Sequence, residues 1–233
     1  MTSANAAARH DLYRFIHKGL RAALFDSVRA LGLLDADDAG ERERVLDRAE
    51  GLLALLAAHV KHEDDFVHRA IEARQPGGAQ HTAGDHREQF ETLQALRAEI
   101  DAVRRAVPAE RQLRLHRLYR HFALLAAENL EHMNAEETHN NELLWSLYSD
   151  DELDALHDRL LAASEPHMKV EAIGWIAEAL NPHELAALLG DMRRKLPAPA
   201  LAGVLGLMRE RLTPQRWTRL AQTLGEVAEA QPA

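Results

Sequence analysis

Apolar residues recur at helical spacing from the start of the chain. Leu12, Phe15, Ile16, Leu20, Ala23, Leu24 and Val28 fall on one stripe. They predict a first helix over residues 5–31, ended by Gly32 and the Asp35–Gly40 stretch. The same pattern predicts helices over 41–74, 80–106 and 109–147. Their breaks are Gln75-Pro76-Gly77-Gly78 and Pro108, and no proline interrupts them between 109 and 165. Short loops make neighbours antiparallel, so residues 1–148 are expected to form an all-α, up-down-up-down four-helix bundle.

From Ser149 the helices become shorter and their starts stronger. Ser149-Asp-Asp-Glu152 is a capping box, and Ser164-Glu165-Pro166, Asn181-Pro182 and Thr213-Pro214 place a cap beside a proline. Five helices are expected near 150–163, 166–180, 182–196, 199–212 and 214–229, forming a second domain over 149–233. ELAALLGDMRRKLP and ALAGVLGLMRERLTP look alike, as short amphipathic helices do. Leu185, Leu188, Leu189, Met192 and Trp217 are expected in a core or a dimer contact.

Composition narrows the function classes. Hydrophobic residues are 46% of the 233, mostly Ala and Leu, and aromatics only 5%, a balance that disfavours strands. A net charge of −9, from 37 acids and 28 bases, argues against general nucleic-acid binding. No apolar run reaches membrane-spanning length, and MTSANAAARHDLYRF has no apolar signal core, so a cytoplasmic location is expected. The absence of cysteine excludes disulfides, thiol nucleophiles, iron–sulfur clusters and Cys-type zinc sites.

The 14 histidines stand out. Scattered surface histidines would be the bland explanation, and their positions argue otherwise. Each long helix carries a histidine on an inward stripe: His17, His59, His86 and His132. Two carry a carboxylate one turn later, as His59-x-x-x-Glu63 and His132-x-x-x-Glu136. Residues at i and i+4 share a helix face, so each pair can serve one metal centre. At about 1.5 Å per residue, each antiparallel pair of histidines matches in depth to about one turn. Buried carboxylates are costly unless paired, and a cation removes that cost. A nitrogen and oxygen donor set suits iron or manganese, with zinc also open. Six ligands suit two metals sharing carboxylates.

Other positions are weaker. His62 could ligate or support a ligand; His10 and His121 could line the bundle further along; Glu128 could support His132; Glu137 competes with Glu136. His68, opposite His59 on a regular helix, is expected in solvent. His116, His139, His157, His167 and His183 show no partner pattern. A zincin H-E-x-x-H is absent, and the ferritin-type Glu-x-x-His occurs once, at Glu136-x-x-His139. No Gly-rich phosphate loop or nucleophile elbow is present.

The segments IHKGLRAALFD, HVKHEDDFVHRAIE, DHREQFETL and EHMNAEETHNNELLW, spanning residues 10–148, resemble hemerythrin-like (HHE cation-binding) proteins. The region from DELDALHDRLL onward resembles the extension on some bacterial members. The resemblance implies a non-haem di-iron centre, oxo- or hydroxo-bridged, with His17, His59, Glu63, His86, His132 and Glu136 as ligands. It implies binding of O2, peroxide or nitric oxide, in oxygen or iron sensing, storage or detoxification. Oxygen carriers of the family use a second histidine one turn before the one at His86. Here that position is Thr82, and His81 lies about 100° away around the helix. His81, His62 or water could fill the remaining position. The alternative expectation is a metal-stabilised sensor without turnover, signalling through the C-terminal helices to a protein partner or a second copy.

Overall fold

The computed structural model describes residues 9–229 and is all-helical, without a strand among them. Eleven α-helical segments and two π-helical ones run in the order α1 (Arg14–Leu33), α2 (Ala39–His62), π1 (Glu63–His68), α3 (Arg69–Arg74), α4 (Gln80–Arg104), α5 (Pro108–Ala135), π2 (Glu136–Asn140), α6 (Asn141–Leu147), α7 (Asp150–Ala163), α8 (Pro166–Ala179), α9 (Pro182–Lys195), α10 (Ala198–Arg211) and α11 (Pro214–Glu229). No described helix is long and apolar enough to cross a membrane.

The breaks follow local chemistry. Asp38 accepts from the Glu41 N–H at 2.8 Å and opens α2. Gly77, at φ 85°, supplies the left-handed turn before α4. Pro108 occupies the first turn of α5. The capping box predicted at Ser149/Glu152 forms, and the cap predicted at Asn181 is itself part of a second reciprocal box with Glu184.

The first helix starts later than its apolar stripe suggests. Residues 5–8 lie outside the described residues, and residues 9–13 are not helical. The Asp11 carboxylate accepts from the N–H groups of Tyr13 and Arg14, at 3.0 and 3.1 Å, and so fixes the start. Upstream, the Arg9 guanidinium donates to the Asp150 carboxylate and to the carbonyls of Trp145 and Tyr148. Trp145 in turn donates its indole N–H to the His10 carbonyl at 2.8 Å. Tertiary hydrogen bonds keep this segment out of the helix where periodicity alone would continue it.

The chain forms two compact units. One comprises residues up to Arg14 with Leu24–Ser164; the other comprises Phe15–Ala23 with the chain from Glu165 onward. The division falls at Ser164/Glu165, one helix beyond the 148/149 boundary expected from sequence, because α7 clusters with the first unit.

In the first unit α4 packs against both α2 and α5. Leu46, Leu53, Leu96, Leu118, Phe122 and Leu125 are fully buried. Beyond the π-helical turns a separate cluster of Tyr13, Val67, Ile71, Ala79, Leu144 and Leu153 closes the unit. Truncating Phe122 to alanine leaves a cavity in a packed interior, and such changes cost about 3–5 kcal/mol. Urea denaturation of Phe122→Ala is expected to show a loss of that size; a loss within the range of a surface substitution would contradict the packing.

The second unit is built on Leu180, Leu185, Leu189, Met208, Leu212 and Leu220, with Leu188, Met192 and Trp217 packed against them. The apolar positions singled out in this region are therefore core. Arg216 donates to the carbonyls of Ala177, Glu178 and Leu180, satisfying the end of α8.

Candidate metal centre

The two helices carrying His-x-x-x-Glu both change character at the glutamate. α2 gives way to π1 at Glu63, and α5 to π2 at Glu136. A π-helical turn bonds i to i+5, in effect inserting a residue, and such turns concentrate at functional sites. Each inserted residue rotates the downstream helix by about 100°. Two interior glutamates at the start of two such turns mark one level of the first unit.

Glu63, His86, His132 and Glu136 converge there, all buried, each with a ligand atom within 4.8 Å of the others. His86 Nε2 lies 3.6 Å from Glu63 Oε2 and 3.7 Å from Glu136 Oε1. His132 Nε2 lies 3.4 Å from Glu136 Oε2, and 3.0 Å from His86 Nε2. His59 Nε2 faces the other Glu63 oxygen, Oε1, at 3.2 Å. Glu63 thus presents one oxygen to His59 and the other to His86. Donors bonded at about 2.1 Å to one ion lie at most about 4.2 Å apart. The five pair distances, from 3.0 to 3.7 Å, meet that limit, and the set contains only nitrogen and oxygen. The residues fit a transition metal.

Carboxylates outside this layer orient the imidazoles. Asp64 Oδ1 lies 2.7 Å from His86 Nδ1 and 2.9 Å from His68 Nδ1. Asp85 Oδ2 lies 3.1 Å from His132 Nδ1. An ionised carboxylate only accepts, so each Nδ1 carries a proton and each Nε2 turns inward. Tyr13 and Asn140 complete the polar end: the Asn140 amide donates to the Tyr13 hydroxyl and to Thr82 Oγ1, both at 3.3 Å. Burial, with Glu136 and Glu63 nearby, raises the Tyr13 pKa well above its ordinary value, so it remains a phenol.

Charge explains why this layer calls for a cation. Burial opposes a charged His86, but hydrogen bonds and attraction from Glu136, Glu63 and Asp64 prevail and raise its pKa to about 9. A proton at His86 Nε2, donated towards His132 Nε2, serves as the counter-ion of the metal-free protein. His68 moves the other way: burial and the positive His86 lower its pKa. A pKa raised on folding stabilises the folded state below the unfolded value, about 6.5. That contribution is lost as pH rises through about 9. With chelator present, the urea midpoint is expected to fall between those values. A flat profile would mean that His86 carries no such proton.

Most of the sequence-predicted ligands meet. Glu63, His86, His132 and Glu136 come together, with His59 against Glu63. Glu136 is fully buried and Glu137 only half-buried, which separates those competitors. His17 is also fully buried, within the Phe15–Ala23 stretch that clusters with the C-terminal helices. His81 and Glu128 are exposed, and His62 is half-buried and not among the converging groups. His121 pairs with Glu99 at 3.4 Å, and His10 stands edge-on to His157.

One expectation is overturned. His68 is 5% exposed, not solvated. On an uninterrupted α-helix it would point away from His59; π1 rotates it inward. Sequence reasoning also passes over Asp64 and Asp85. Their adjacency to Glu63 and His86 is the available signal, though Asp85 serves His132 rather than its neighbour. Comparison with protein-family models, curated proteins and solved structures finds no match to this chain.

Proposed function

We propose that residues 10–148 form a hemerythrin-like, antiparallel four-helix bundle that holds two non-haem irons and binds O2 or a related small oxidant such as peroxide or nitric oxide. The observation that carries this reading is the splitting of Glu63. One buried carboxylate faces His59 with Oε1 and His86 with Oε2, the arrangement that a ligand shared between two ions requires.

His86, His132, Glu63 and Glu136 would hold one iron. His59 and Glu63 would hold the other, with His17 as the further ligand that the sequence pattern implies. Bound iron would supply reversible one-electron chemistry towards a small oxidant. The chain's own part is definite. Asp64 and Asp85 hold the imidazole Nδ1 protons and aim Nε2 inward. The apolar cluster around Ile71 and Leu144 excludes water from one end. His86 gives up its Nε2 proton when a cation enters, so uptake at neutral pH releases protons. Manganese and zinc share this donor chemistry; iron is the proposal because the resemblance implies redox work.

The test is to purify the protein without chelator, measure bound metals, and record the visible spectrum in air and after reduction. About two irons per chain, with near-ultraviolet absorption bleached by reductant, is the expected result. Zinc alone, or no metal even after iron reconstitution, would overturn it. His59→Ala and His132→Ala are each expected to lose at least one equivalent of metal, while circular dichroism keeps the helical signal. Full loading in both variants would refute the ligand assignment.

A further inference from the structure

We propose that His68 is a direct ligand of this centre, supplied from the helix of His59 and Glu63 instead of from α4. The proposal rests on the metal-centre reading above and goes beyond it, because neither the sequence pattern nor the family resemblance places a ligand at this position.

Four observations carry it. The His68 ring is buried and stacked on His86, with centroids 4.7 Å apart and planes 18° apart. Its Nε2 lies 4.0 Å from Glu136 Oε1, within the span of two ligands on one ion. Its Nδ1 is held by Asp64 Oδ1, the atom that also holds His86 Nδ1. One carboxylate therefore aims two imidazoles, and each Nε2 turns away from it. Finally, Thr82 makes the room. It stands one turn before His86, is buried, and places Oγ1 3.0 Å from His68 Nε2. A histidine at 82 and a histidine at 68 would compete for that space; the small residue at 82 admits the one from π1.

His68 would ligate through Nε2, which in this structure meets Thr82 Oγ1 at 3.0 Å. With Nδ1–H donated to Asp64, Nε2 holds the ring's lone pair. Thr82 Oγ1 also lies 3.3 Å from the Ala79 carbonyl, so the hydroxyl has an alternative acceptor once Nε2 turns to a metal. The ion at His86 and His132 would then have three imidazoles and the two glutamates.

The experiment is an anaerobic titration of the full chain with Fe(II), and separately with Co(II), whose visible bands report the ligand set. Wild type, His68→Ala, His68→Gln and Thr82→Val are compared. Changes in residues that merely orient ligands cost about 10–100-fold in affinity, so loss of a ligand is expected to cost more than about 100-fold for one of the two equivalents. Both His68 variants should show that loss and altered cobalt bands. Added imidazole should restore both in His68→Ala, while Thr82→Val stays within a few-fold of wild type. Wild-type affinity and bands in His68→Ala would overturn the proposal and leave the centre standing. An equal loss in Thr82→Val would reduce His68 to a hydrogen-bonding partner and overturn it also. A wild-type chain that takes up neither metal would overturn the centre and the proposal together.

Discussion

Replacing both buried glutamates, Glu63→Gln with Glu136→Gln, is expected to abolish metal uptake while leaving the metal-free protein folded and no less stable. The two outcomes have a common cause. Both side chains are almost fully shielded, at 3% and 0% exposure. Ionised carboxylates in such positions carry a desolvation penalty of several kcal/mol each, which neutral amides of the same shape avoid. The metal-free protein offsets that penalty in part with the proton on His86. With Glu136 and Glu63 neutralised, the attraction that raises the His86 pKa to about 9 is largely gone, while burial still lowers it. The pH dependence predicted for the wild-type chain should flatten in the double variant. A metal site that loses both anionic donors retains only imidazoles and a weak amide oxygen. Equilibrium dialysis against iron and zinc, with urea midpoints measured in chelator, checks both halves. Retained metal would mean that other residues hold it. A chain that no longer folds would make the carboxylates structural.

Metal loading is expected to produce the largest single shift in stability. A ligand that binds only the folded state stabilises it by about 4 kcal/mol when present at about 1,000 times its dissociation constant, and two sites add. For a domain of this size each kcal/mol raises the midpoint by about 2–4 °C, so one site gives about 8–16 °C. Two compact units can melt separately, and then the shift belongs to the transition of the unit containing Glu63 and Glu136. Calorimetry of the iron- or zinc-loaded chain against the chelated chain makes the comparison. Zinc should serve as well as iron, because the effect needs binding and not redox change. Equal midpoints would show that the folded state holds no metal.

Much of this architecture is legible in the sequence alone. The shorter helices from α7 onward announce themselves through Ser149, Pro166, Asn181, Pro182 and Pro214, residues whose preferences are local. The metal-ligand candidates are legible because four histidines and two glutamates recur at matched depth. Three things are not. The start of α1 depends on Arg9 and Asp11 meeting distant or neighbouring groups, which periodicity does not register. Asp85 serves a histidine on α5, a relation fixed by tertiary packing. His68 is misplaced by the sequence because a period of 3.6 is extended through a segment that does not obey it. That error concentrates at the centre itself, where local preference gives way to the needs of the site.

The π-helical turns also tie this chemistry to the bare number of codons. Deleting the single codon for Asp65, an outward residue bonded to Lys61 and Arg69, removes no candidate ligand. It would remove the extra residue that π1 accommodates, so the segment after Glu63 would relax into an ordinary α-helix with the imidazole now at position 68 still turned inward. A point substitution at 65 leaves the residue count, and with it the π-helical turn, unchanged. In this stretch of the gene, reading-frame-preserving loss of three nucleotides should be tolerated better than the gain of three, which would turn the same imidazole by about 100°.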